Sequence, residues 1–594
     1  MSQTQGSYLH LITSGDLFLK DSQIPEAITC YTKAMQLQST KSWDRGVSLP
    51  FYNNLGIAYK RQGDYLKAQR IYEQAMNLAP EYPLYYSNLF TIYKLQNRLG
   101  DAEKVLLKAI SLPSRQLNHF MMLGEYYKEL KAYKKWLQTA IACVKVFPNE
   151  YEAHLQLGNV FSHAKQFAQA LNPYLAAIKI NPKATAAYNN VGVVYKELGK
   201  NEEAKQAYQR VLDLNPKDPA VHNNIGNLLR NMGNFEGAVR HLQESIRLNP
   251  DYADAWSNIG AVYKEMKNYT QAEGYYRKAL TLKPHHINAN FDLSLIELTR
   301  GDYLNGWKRY EYRLGMAELI SKLHPYRTPM WRGEELKGKT ILLQNEQGYG
   351  DNLMFIRYVP KWIALGAKVI IRTRPELVSL FQTIPGVAAV CSEEEEIVEH
   401  DYHFPLLSAP YYFRTTLETI PKEFPYLHPK KDLVKIKKEP KKTLTIGLVW
   451  SSSRTNKDFK NKYIGLERLQ KLFSLKNAQW YSLQVGEDAE QIKALALEDK
   501  IIDLSDQLDD FSKTASLIES LDLIITSDTS VAHLCGAMDK EAWVLVPKPA
   551  DWRWMQEGEK TPWYRSLKLF RQDEHHDWNG AIETLYEALK KRIG

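Results

Sequence analysis

Residues 182–216 read PKATAAYNNVGVVYKELGKNEEAKQAYQRVLDLNP, and this stretch is one copy of a pattern that fills the first half of the chain. The prolines that open and close it are 34 residues apart. A spacing of 33 to 35 residues separates every member of the series Pro80, Pro113, Pro148, Pro182, Pro216, Pro250 and Pro284. A period of this length predicts an array of similar supersecondary units stacked side by side.

Small and aromatic residues keep the same register inside each unit. One position is marked by Gly56, Gly124, Gly158, Gly192, Gly226 and Gly260. Three residues later come the aromatics Tyr59, Tyr93, Tyr127, Phe161, Tyr195 and Tyr263. A second helix is marked by Ala68, Ala102, Ala170, Ala204, Ala238 and Ala272. The pattern resembles the tetratricopeptide repeat, a pair of antiparallel helices that proline ends and aromatics fill. We expect an all-α superhelix over residues 1–318, with 288–316 as its terminal cap.

The overall composition is that of a folded protein without unusual cysteine chemistry. The 594 residues are 44% hydrophobic, and 77 Lys and Arg against 68 Asp and Glu give a net charge of +9, too small to predict a nucleic-acid partner. The four cysteines include no C-x-x-C pair, which argues against a disulfide scaffold or a zinc site. Because no apolar run reaches about 18 residues and the start shows no signal-peptide pattern, we expect a cytoplasmic protein without membrane insertion.

Asparagine recurs two residues before the glycine position, on the first helix of each pair. The series is Asn54, Asn88, Asn190, Asn224 and Asn258, and Met122 and Gln156 interrupt it. An amide offers both a donor and an acceptor, so it can pair with a peptide bond regardless of the side chain. The series resembles the asparagine ladder with which O-GlcNAc transferases hold the backbone of protein substrates, which implies an acceptor-binding surface. A helix cap or an inter-repeat hydrogen bond is the alternative interpretation.

After Met316 the 34-residue period stops, and β-branched segments alternate with amphipathic helices. Strands are predicted at 339–345, 367–373, 387–392, 443–451, 479–485, 501–504, 521–527 and 542–547. Such alternation predicts parallel sheets covered by helices. The lysine-rich segment 429–442 is typical of a linker, so we expect α/β domains at 319–440 and 441–594. We expect the final helix, 577–592, to cross back to the first of these domains.

Two loops at the ends of predicted strands carry the candidate chemistry, because ligands of open parallel sheets bind beyond the carboxyl ends of the strands. In the first loop, EQGYGD at 346–351, Gly348 and Gly350 allow close backbone approach, and Asp351 falls near a helix N-terminus. In the second, SDTSVAH at 527–533, Thr529 and Ser530 begin a helix whose N-terminus suits an anion such as phosphate. Ordinary helix caps are the alternative for both loops.

The stretches WRGEELKGKTILLQNEQGYGD, SLIESLDLIITSDTSVAHLCGAM and TPWYRSLKLFRQ together resemble bacterial proteins that fuse tetratricopeptide repeats to a heptosyltransferase-like glycosyltransferase. The resemblance runs over about residues 11–592 and implies a GT-B fold, in which two Rossmann-like domains face a cleft. It implies that Asp351 is the base and that Asp528, Thr529 and His533 lie at the donor phosphates. Some such proteins glycosylate flagellin with nonulosonic acids carried on CMP.

The function implied is an inverting protein O-glycosyltransferase that uses a nucleotide-sugar as substrate and no cofactor, with flagellin as the favoured acceptor. No D-x-D motif occurs, which favours the metal-independent GT-B class. Glu346 is the second candidate for the base. The segment after 451 departs from the family pattern, so Lys457 and Lys462 are the candidates for neutralising phosphate. Gln484 is a candidate contact to the nucleoside, with a structural role as its alternative.

Two other functions fit the sequence. The first is a heptosyltransferase-like enzyme that acts on a lipid-linked saccharide, although the long repeat array favours a protein acceptor. The second is a catalytically inactive interaction scaffold, against which the retained Asp351 and Asp528 argue. An aromatic cluster near the second loop is either hydrophobic core or a platform for a sugar. Its members are Trp552, Trp554, Trp563 and Tyr564.

Overall fold

Paired helices occupy the first half of the chain, as the 34-residue period predicts. The structure is a computed structural model that describes residues 3–37, 44–320, 324–430, 433–434, 436, 439, 444–454 and 459–593. Its contacts divide the chain into two units, Met1–Pro250 and Asp251–Gly594. Each unit has its own internal packing.

The first unit is built from consecutive helices that pack in pairs. They are α1 (Gln3–Lys20), α2 (Ile24–Leu37), α3 (Arg45–Gln62), α4 (Tyr65–Leu78), α5 (Pro83–Leu95), α6 (Leu99–Ser111), α7 (Leu117–Glu129), α8 (Tyr133–Val146), α9 (Tyr151–His163), α10 (Phe167–Ile180), α11 (Thr185–Glu197), α12 (Asn201–Leu214), α13 (Pro219–Asn231) and α14 (Phe235–Leu248). From Pro80 to Pro250, each proline of the series comes two residues after the second helix of a pair. This placement confirms the role that the sequence predicts for proline.

Glycine on the first helix of a pair makes room for a bulky side chain on the second. A Cβ at Gly192 would lie 2.4 Å from the Tyr208 ring, and one at Gly56 would lie 2.3 Å from the Tyr72 ring. Both tyrosines are fully buried. The aromatic series predicted to fill this gap is less important, because a member such as Tyr195 is only half-buried. A tyrosine of the second helix, 16 residues after the glycine, fills the gap at Gly56, Gly158, Gly192 and Gly260, and Leu242 takes its place at Gly226.

The second unit begins with two more helix pairs and a short helix. Its first helices are α15 (Ala253–Glu265), α16 (Tyr269–Leu282), α17 (Ile287–Thr299), α18 (Tyr303–Tyr310) and α19 (Ala317–Ile320). In the α17–α18 pair, the ring of Trp307 meets the ring of Trp552 edge-on at 5.2 Å between centroids. The Trp563 indole N–H donates to the Tyr303 hydroxyl at 3.0 Å. The pair that the sequence predicts as a terminal cap therefore packs into the core of the α/β region.

The aromatic cluster beside the second loop belongs to this core. Trp552, Trp554, Trp563 and Tyr564 are each at most 3% exposed. Rings that are closed on all sides cannot stack against a sugar from solvent. The structure thus supports the core interpretation and not the sugar platform.

A four-stranded parallel sheet follows the helices. Its strands are β1 (Thr340–Gln344), β2 (Lys368–Thr373), β3 (Val387–Ser392) and β4 (Tyr402–Pro405), in the order β3-β2-β1-β4. Its helices are α20 (Tyr349–Phe355), α21 (Val359–Ala364), α22 (Pro375–Phe381) and α23 (Ala409–Tyr412). The first three strands match the sequence prediction, whereas β4 was not predicted because it is only four residues long and follows an acidic loop.

A six-stranded parallel sheet forms the rest of the unit. Its strands are β5 (Leu444–Val449), β6 (Ala478–Ser482), β7 (Ile501–Asp503), β8 (Leu523–Ser527), β9 (Ala542–Val546) and β10 (Leu567–Arg571), in the order β10-β9-β8-β5-β6-β7. Its helices are α24 (Phe459–Lys462), α25 (Leu466–Leu469), α26 (Gln491–Ala494), α27 (Phe511–Ser520), α28 (Ser530–Ala537) and α29 (Asn579–Ile593). β5, which comes first along the chain in this sheet, lies near its middle, and β8, which comes fourth, lies beside it, as in a Rossmann-like sheet.

The final helix, α29, does not cross back to the first sheet as expected. Leu585 and Leu589 are fully buried in the core of the second sheet, together with Phe570 of β10. The unpredicted strand β10 supplies the surface that this helix covers. The predicted linker 429–442 lies mostly outside the described residues.

Candidate functional site

The loop after β1 presents Asp351 in the first turn of α20. Its Oδ2 accepts the backbone N–H of Gly348 at 3.0 Å, so the carboxylate does cap its helix. Its Oδ1 forms an ion pair with the guanidinium of Arg553, which lies beyond β9 of the other sheet. The two side chains are 16% and 12% exposed. Asp351 is therefore both a cap and a link between the two sheets.

The loop after β8 presents Asp528 at the start of α28. Its Oδ2 lies 2.7 Å from the Nζ of Lys462, the last residue of α24. Burial alone would raise the pKa of Asp528, but the Lys462 ammonium outweighs it and holds that pKa below its ordinary value. Thr529, which precedes α28, lies with its hydroxyl 3.0 Å from that of Thr526, and Ser530 begins the helix half-buried. The loop thus combines a helix N-terminus with an ion pair.

The two loops meet where Gly350 faces His533. A Cβ at Gly350 would lie 2.7 Å from Cδ2 and 3.3 Å from Nε2 of the imidazole, so only glycine permits this approach. The imidazole stacks on Trp554 at 5.1 Å between centroids, and its Nδ1 lies 2.9 Å from the hydroxyl of Tyr564. Burial, reinforced by the positive charge of Arg553, lowers the pKa of His533 to about 3. The imidazole is therefore neutral at physiological pH and brings no positive charge to a phosphate.

Arg553 is a member of the site that the sequence reasoning missed. Its Nη1 donates to Oδ1 of Asp551 at 2.7 Å, its backbone N–H donates to the same oxygen at 3.0 Å, and its guanidinium lies 4.2 Å from the Trp552 ring centroid. Burial would lower the pKa of Arg553, but the carboxylates of Asp551 and Asp351 outweigh it and raise that pKa further. Its neighbours in the sequence, D-W-R-W, were the only signal, and they were interpreted as an aromatic cluster.

Glu346 is placed as a structural residue and not as a base. Its side chain is fully buried, and its two oxygens accept from Nε and Nη2 of Arg313 at 3.0 and 2.9 Å. The backbone N–H of Leu407 donates to the same carboxylate at 3.0 Å. A carboxylate with these partners and no access to a ligand cannot take a proton from an acceptor. We therefore keep Asp351 as the only candidate base.

Gln484 is also structural. Its side-chain oxygen accepts the backbone N–H groups of Trp450 and Ser451 at 3.1 and 2.9 Å, which fixes the loop after β5. The side chain is 4% exposed, so the structural alternative accounts for it better than a nucleoside contact. Lys457, the other predicted phosphate ligand, lies outside the described residues.

Two hydroxyls lie at the topological switch point between β5 and β8, where the strand order reverses, and lack a hydrogen-bond partner among the described residues. They are Oγ of Ser527, at the end of β8, and Oγ of Ser452, just after β5. Ligands of doubly wound sheets bind at this switch point. Buried hydroxyls are normally hydrogen-bonded, so two that lack a partner here are unusual. Ser527 immediately precedes Asp528, so its hydroxyl belongs to the same loop as the ion pair with Lys462.

The asparagine ladder is hydrogen-bonded from one repeat to the next. The amide of Asn224 donates to the side-chain oxygen of Asn189 at 2.8 Å, and the amide of Asn190 donates to Asn159 at 2.9 Å. The amide of Asn88 donates to Asn53 at 2.7 Å in the same way. Asn54 donates to Asp16, and Asn258 lies half-buried on α15.

These contacts are the inter-repeat hydrogen bonds of the alternative interpretation. The five positions are half-buried, so these residues are not fully closed off from solvent. The ladder thus holds neighbouring repeats together, and its role in acceptor binding stays a prediction.

Comparison with known proteins supports the repeats directly. Models of the tetratricopeptide repeat match residues 9–81, 174–206 and 253–286, and a further TPR-repeat model matches 194–233 and 226–267. The helix pairs within these ranges are tetratricopeptide repeats. Among the described residues, no helix is both long and apolar enough to cross a bilayer, and no group of three or more His, Cys, Asp or Glu side chains is placed to hold a metal ion.

One curated relative matches over a longer stretch. The chain is similar to Protein FlbA of Caulobacter vibrioides, at 26% identity over 343 residues, which cover 50% of this chain and 55% of that protein. The chain thus spans about half the length of the curated relative that it matches.

Solved structures of repeat proteins also match in part. Pseudomonas aeruginosa PilF covers 27% of this chain and 74% of its own, at 24% identity and a TM-score of 0.26. A tetratricopeptide repeat protein from Parabacteroides merdae covers 49% and 99%, at 16% identity and a TM-score of 0.33. Yeast Tom70 covers 54% and 94%, at 13% identity and a TM-score of 0.28.

Proposed function

We propose that this protein is a protein O-glycosyltransferase of the GT-B class. It transfers a sugar, with inversion, from a nucleotide-sugar to Ser or Thr of a protein held by the repeats. The α/β domains at 319–440 and 441–594 form the transferase, and the repeats at 1–318 select the acceptor. Flagellin is the favoured acceptor, and a CMP-linked nonulosonic acid is a candidate donor, both on the family resemblance of the sequence.

The observation that carries the proposal is the meeting of two loops, each at the carboxyl end of a parallel strand. Gly350 of one loop packs against His533 of the other, and Asp351 reaches Arg553 across the same junction. A carboxylate, two cations and a helix N-terminus are what transfer from a sugar phosphate requires: a base for the acceptor and positive charge for the leaving group.

The transfer step follows from these placements. The acceptor hydroxyl attacks the anomeric carbon while its proton passes to the carboxylate of Asp351. The bond from the anomeric carbon to the phosphate oxygen breaks, and its electron pair stays on that oxygen. The charge that develops there is stabilised by Lys462, by Arg553 and by the first N–H groups of α28, which have no partner within their own helix. His533 stays neutral and serves to hold the two loops together.

A second candidate, the inactive interaction scaffold, is favoured by one observation. In this structure Asp351 and Asp528 are both closed in ion pairs with the cations of the site. A protein that only binds partners could use these pairs as fixed links between its sheets. The two candidates differ in whether removing the charge of Asp351 affects chemistry or only stability.

The test is transfer by the purified chain to purified flagellin in the presence of nucleotide-sugars, read as intact mass. Wild type adds the mass of one or more sugars, and Asp351→Asn slows transfer by at least about a hundredfold, the usual contribution of a general base. The matched control is Asp539→Asn, which removes a carboxylate from the surface ion pair with Arg565 and leaves the rate unchanged. A normal rate in Asp351→Asn rejects Asp351 as base, and no transfer by wild type with any donor favours the scaffold.

A further inference from the structure

We propose that Arg553 exchanges partners during the reaction. In the resting protein it holds Asp351, and in the loaded site it holds the phosphate of the donor, so that Asp351 becomes available as a base only after the donor has bound. This switch rests on the proposed function and adds to it an order of events and a residue that the sequence did not indicate.

Arg553 has an anchor besides Asp351. Its backbone N–H and its Nη1 both donate to Asp551, on its own loop, and its guanidinium lies against the ring of Trp552. These contacts are independent of Asp351, which is bound through Nη2 alone. The guanidinium can therefore give up one carboxylate and keep its place in the loop.

The charges of the cluster also favour an exchange of partners. The cations Arg553 and Lys462 face the carboxylates of Asp351, Asp551 and Asp528. His533 is neutral there, because burial lowers its pKa to about 3. If Arg553 left Asp351 without a replacement, its largely buried guanidinium would lose one of its two carboxylate partners, which is strongly unfavourable. A phosphate supplies the replacement, and its two non-bridging oxygens, which share the negative charge, suit the planar guanidinium.

Asp351 is the carboxylate that is placed to be released. Asp528, the partner of Lys462, is only 5% exposed, whereas Asp351 is 16% exposed and lies in the first turn of α20, at the junction of the two loops. After release it still accepts the N–H of Gly348, so its orientation is kept. It then has one oxygen open to the acceptor hydroxyl.

The cycle closes with atoms and charges balanced. The acceptor hydroxyl gives its proton to Asp351 as the new carbon–oxygen bond forms. The broken bond leaves its electron pair on the phosphate oxygen beside Arg553. When the nucleotide departs and Asp351 returns its proton to water, Arg553 and Asp351 are again an ion pair.

The test is calorimetric titration of the full-length chain with CMP, UDP, GDP and ADP. For the nucleotide that wild type binds, Arg553→Gln weakens affinity by at least about tenfold, the effect of losing a charged hydrogen bond. Arg553→Lys, which keeps the charge, recovers part of this loss. Asp351→Asn tightens binding, because Arg553 no longer has to leave a carboxylate. The matched control Arg565→Gln, in a surface ion pair, leaves affinity unchanged.

The double variant separates the switch from a structural role. In the Arg553→Gln background, Asp351→Asn brings no gain in affinity, because its effect acts through Arg553. The switch is overturned if Asp351→Asn alone binds nucleotide as well as wild type or more weakly. It is also overturned if Asp351→Asn still raises nucleotide affinity in the Arg553→Gln background. Failure of wild type to bind any of the four nucleotides refutes the proposed function, and the switch with it.

Discussion

Replacing Gly350 with alanine tests the contact that joins the two loops. The added Cβ would lie 2.7 Å from Cδ2 of His533, about 1 Å inside ordinary contact distance. The imidazole cannot move aside easily, because it is stacked on Trp554 and held by the Tyr564 hydroxyl. Overpacking of this kind costs about 1–3 kcal/mol, and a separation of the loops by about 1 Å is enough to slow a reaction about a hundredfold.

The assay is thermal unfolding together with the transfer rate. As a matched control, Gly274→Ala makes the same change inside α16, where no atom beyond the neighbouring residues and backbone of the same helix lies within 4 Å of the new Cβ, so it stabilises by up to about 1 kcal/mol. A double-mutant cycle gives the sharper answer. In a His533→Ala background, Gly350→Ala has space and no longer destabilises. Equal effects of Gly350→Ala in both backgrounds would refute the close approach of the loops.

Three other predictions concern the rest of the molecule. Since the pKa of folded His533 is about 3 and the ordinary value is about 6.5, the unfolded chain binds a proton that the folded chain does not, and stability falls as the pH drops below about 6.5. Between pH 7 and pH 5, the free energy of unfolding, measured with urea, falls by about 2 kcal/mol more for wild type than for His533→Gln. Equal decreases in the two proteins would contradict the buried neutral imidazole. Arg313→Met removes the cationic partner of the buried Glu346 carboxylate and lowers the free energy of unfolding by about 3–5 kcal/mol. A decrease below about 1 kcal/mol, measured in the same way, would count against this pair. Replacing Asn190 and Asn224 with alanine weakens flagellin binding more than nucleotide binding, and unchanged flagellin affinity would leave the ladder only its inter-repeat role.

The sequence predicts the elements of this fold well where they repeat or alternate. Each proline of the series from Pro80 to Pro250 comes two residues after the end of a second helix, so the recurring prolines mark the helix ends. The strand predicted at 387–392 coincides with β3. The aromatic register was assigned less well, because Tyr195 and Tyr208 are both periodic and only their packing against Gly192 distinguishes them. Strands β4 and β10 were missed because they are short or carry charged residues.

The site was only half predictable for a physical reason. The loops that carry Asp351 and His533 follow strands, and the chemistry of strand ends indicates them. The partner of Asp351 is 202 residues away in the chain, and no period or local motif connects the two. Glu346 shows the reverse error, because a carboxylate in the right loop proves to be the buried partner of Arg313, on the segment that follows α18.

Intact-mass analysis of flagellin is the most direct test of the proposed transfer of sugar to flagellin. Flagellin would be purified from cells that carry this gene, from cells that lack it, and from cells in which Asp351→Asn replaces the wild type. The account predicts heavier flagellin, by one or more sugar masses, only in the first case. Identical masses in all three would contradict it.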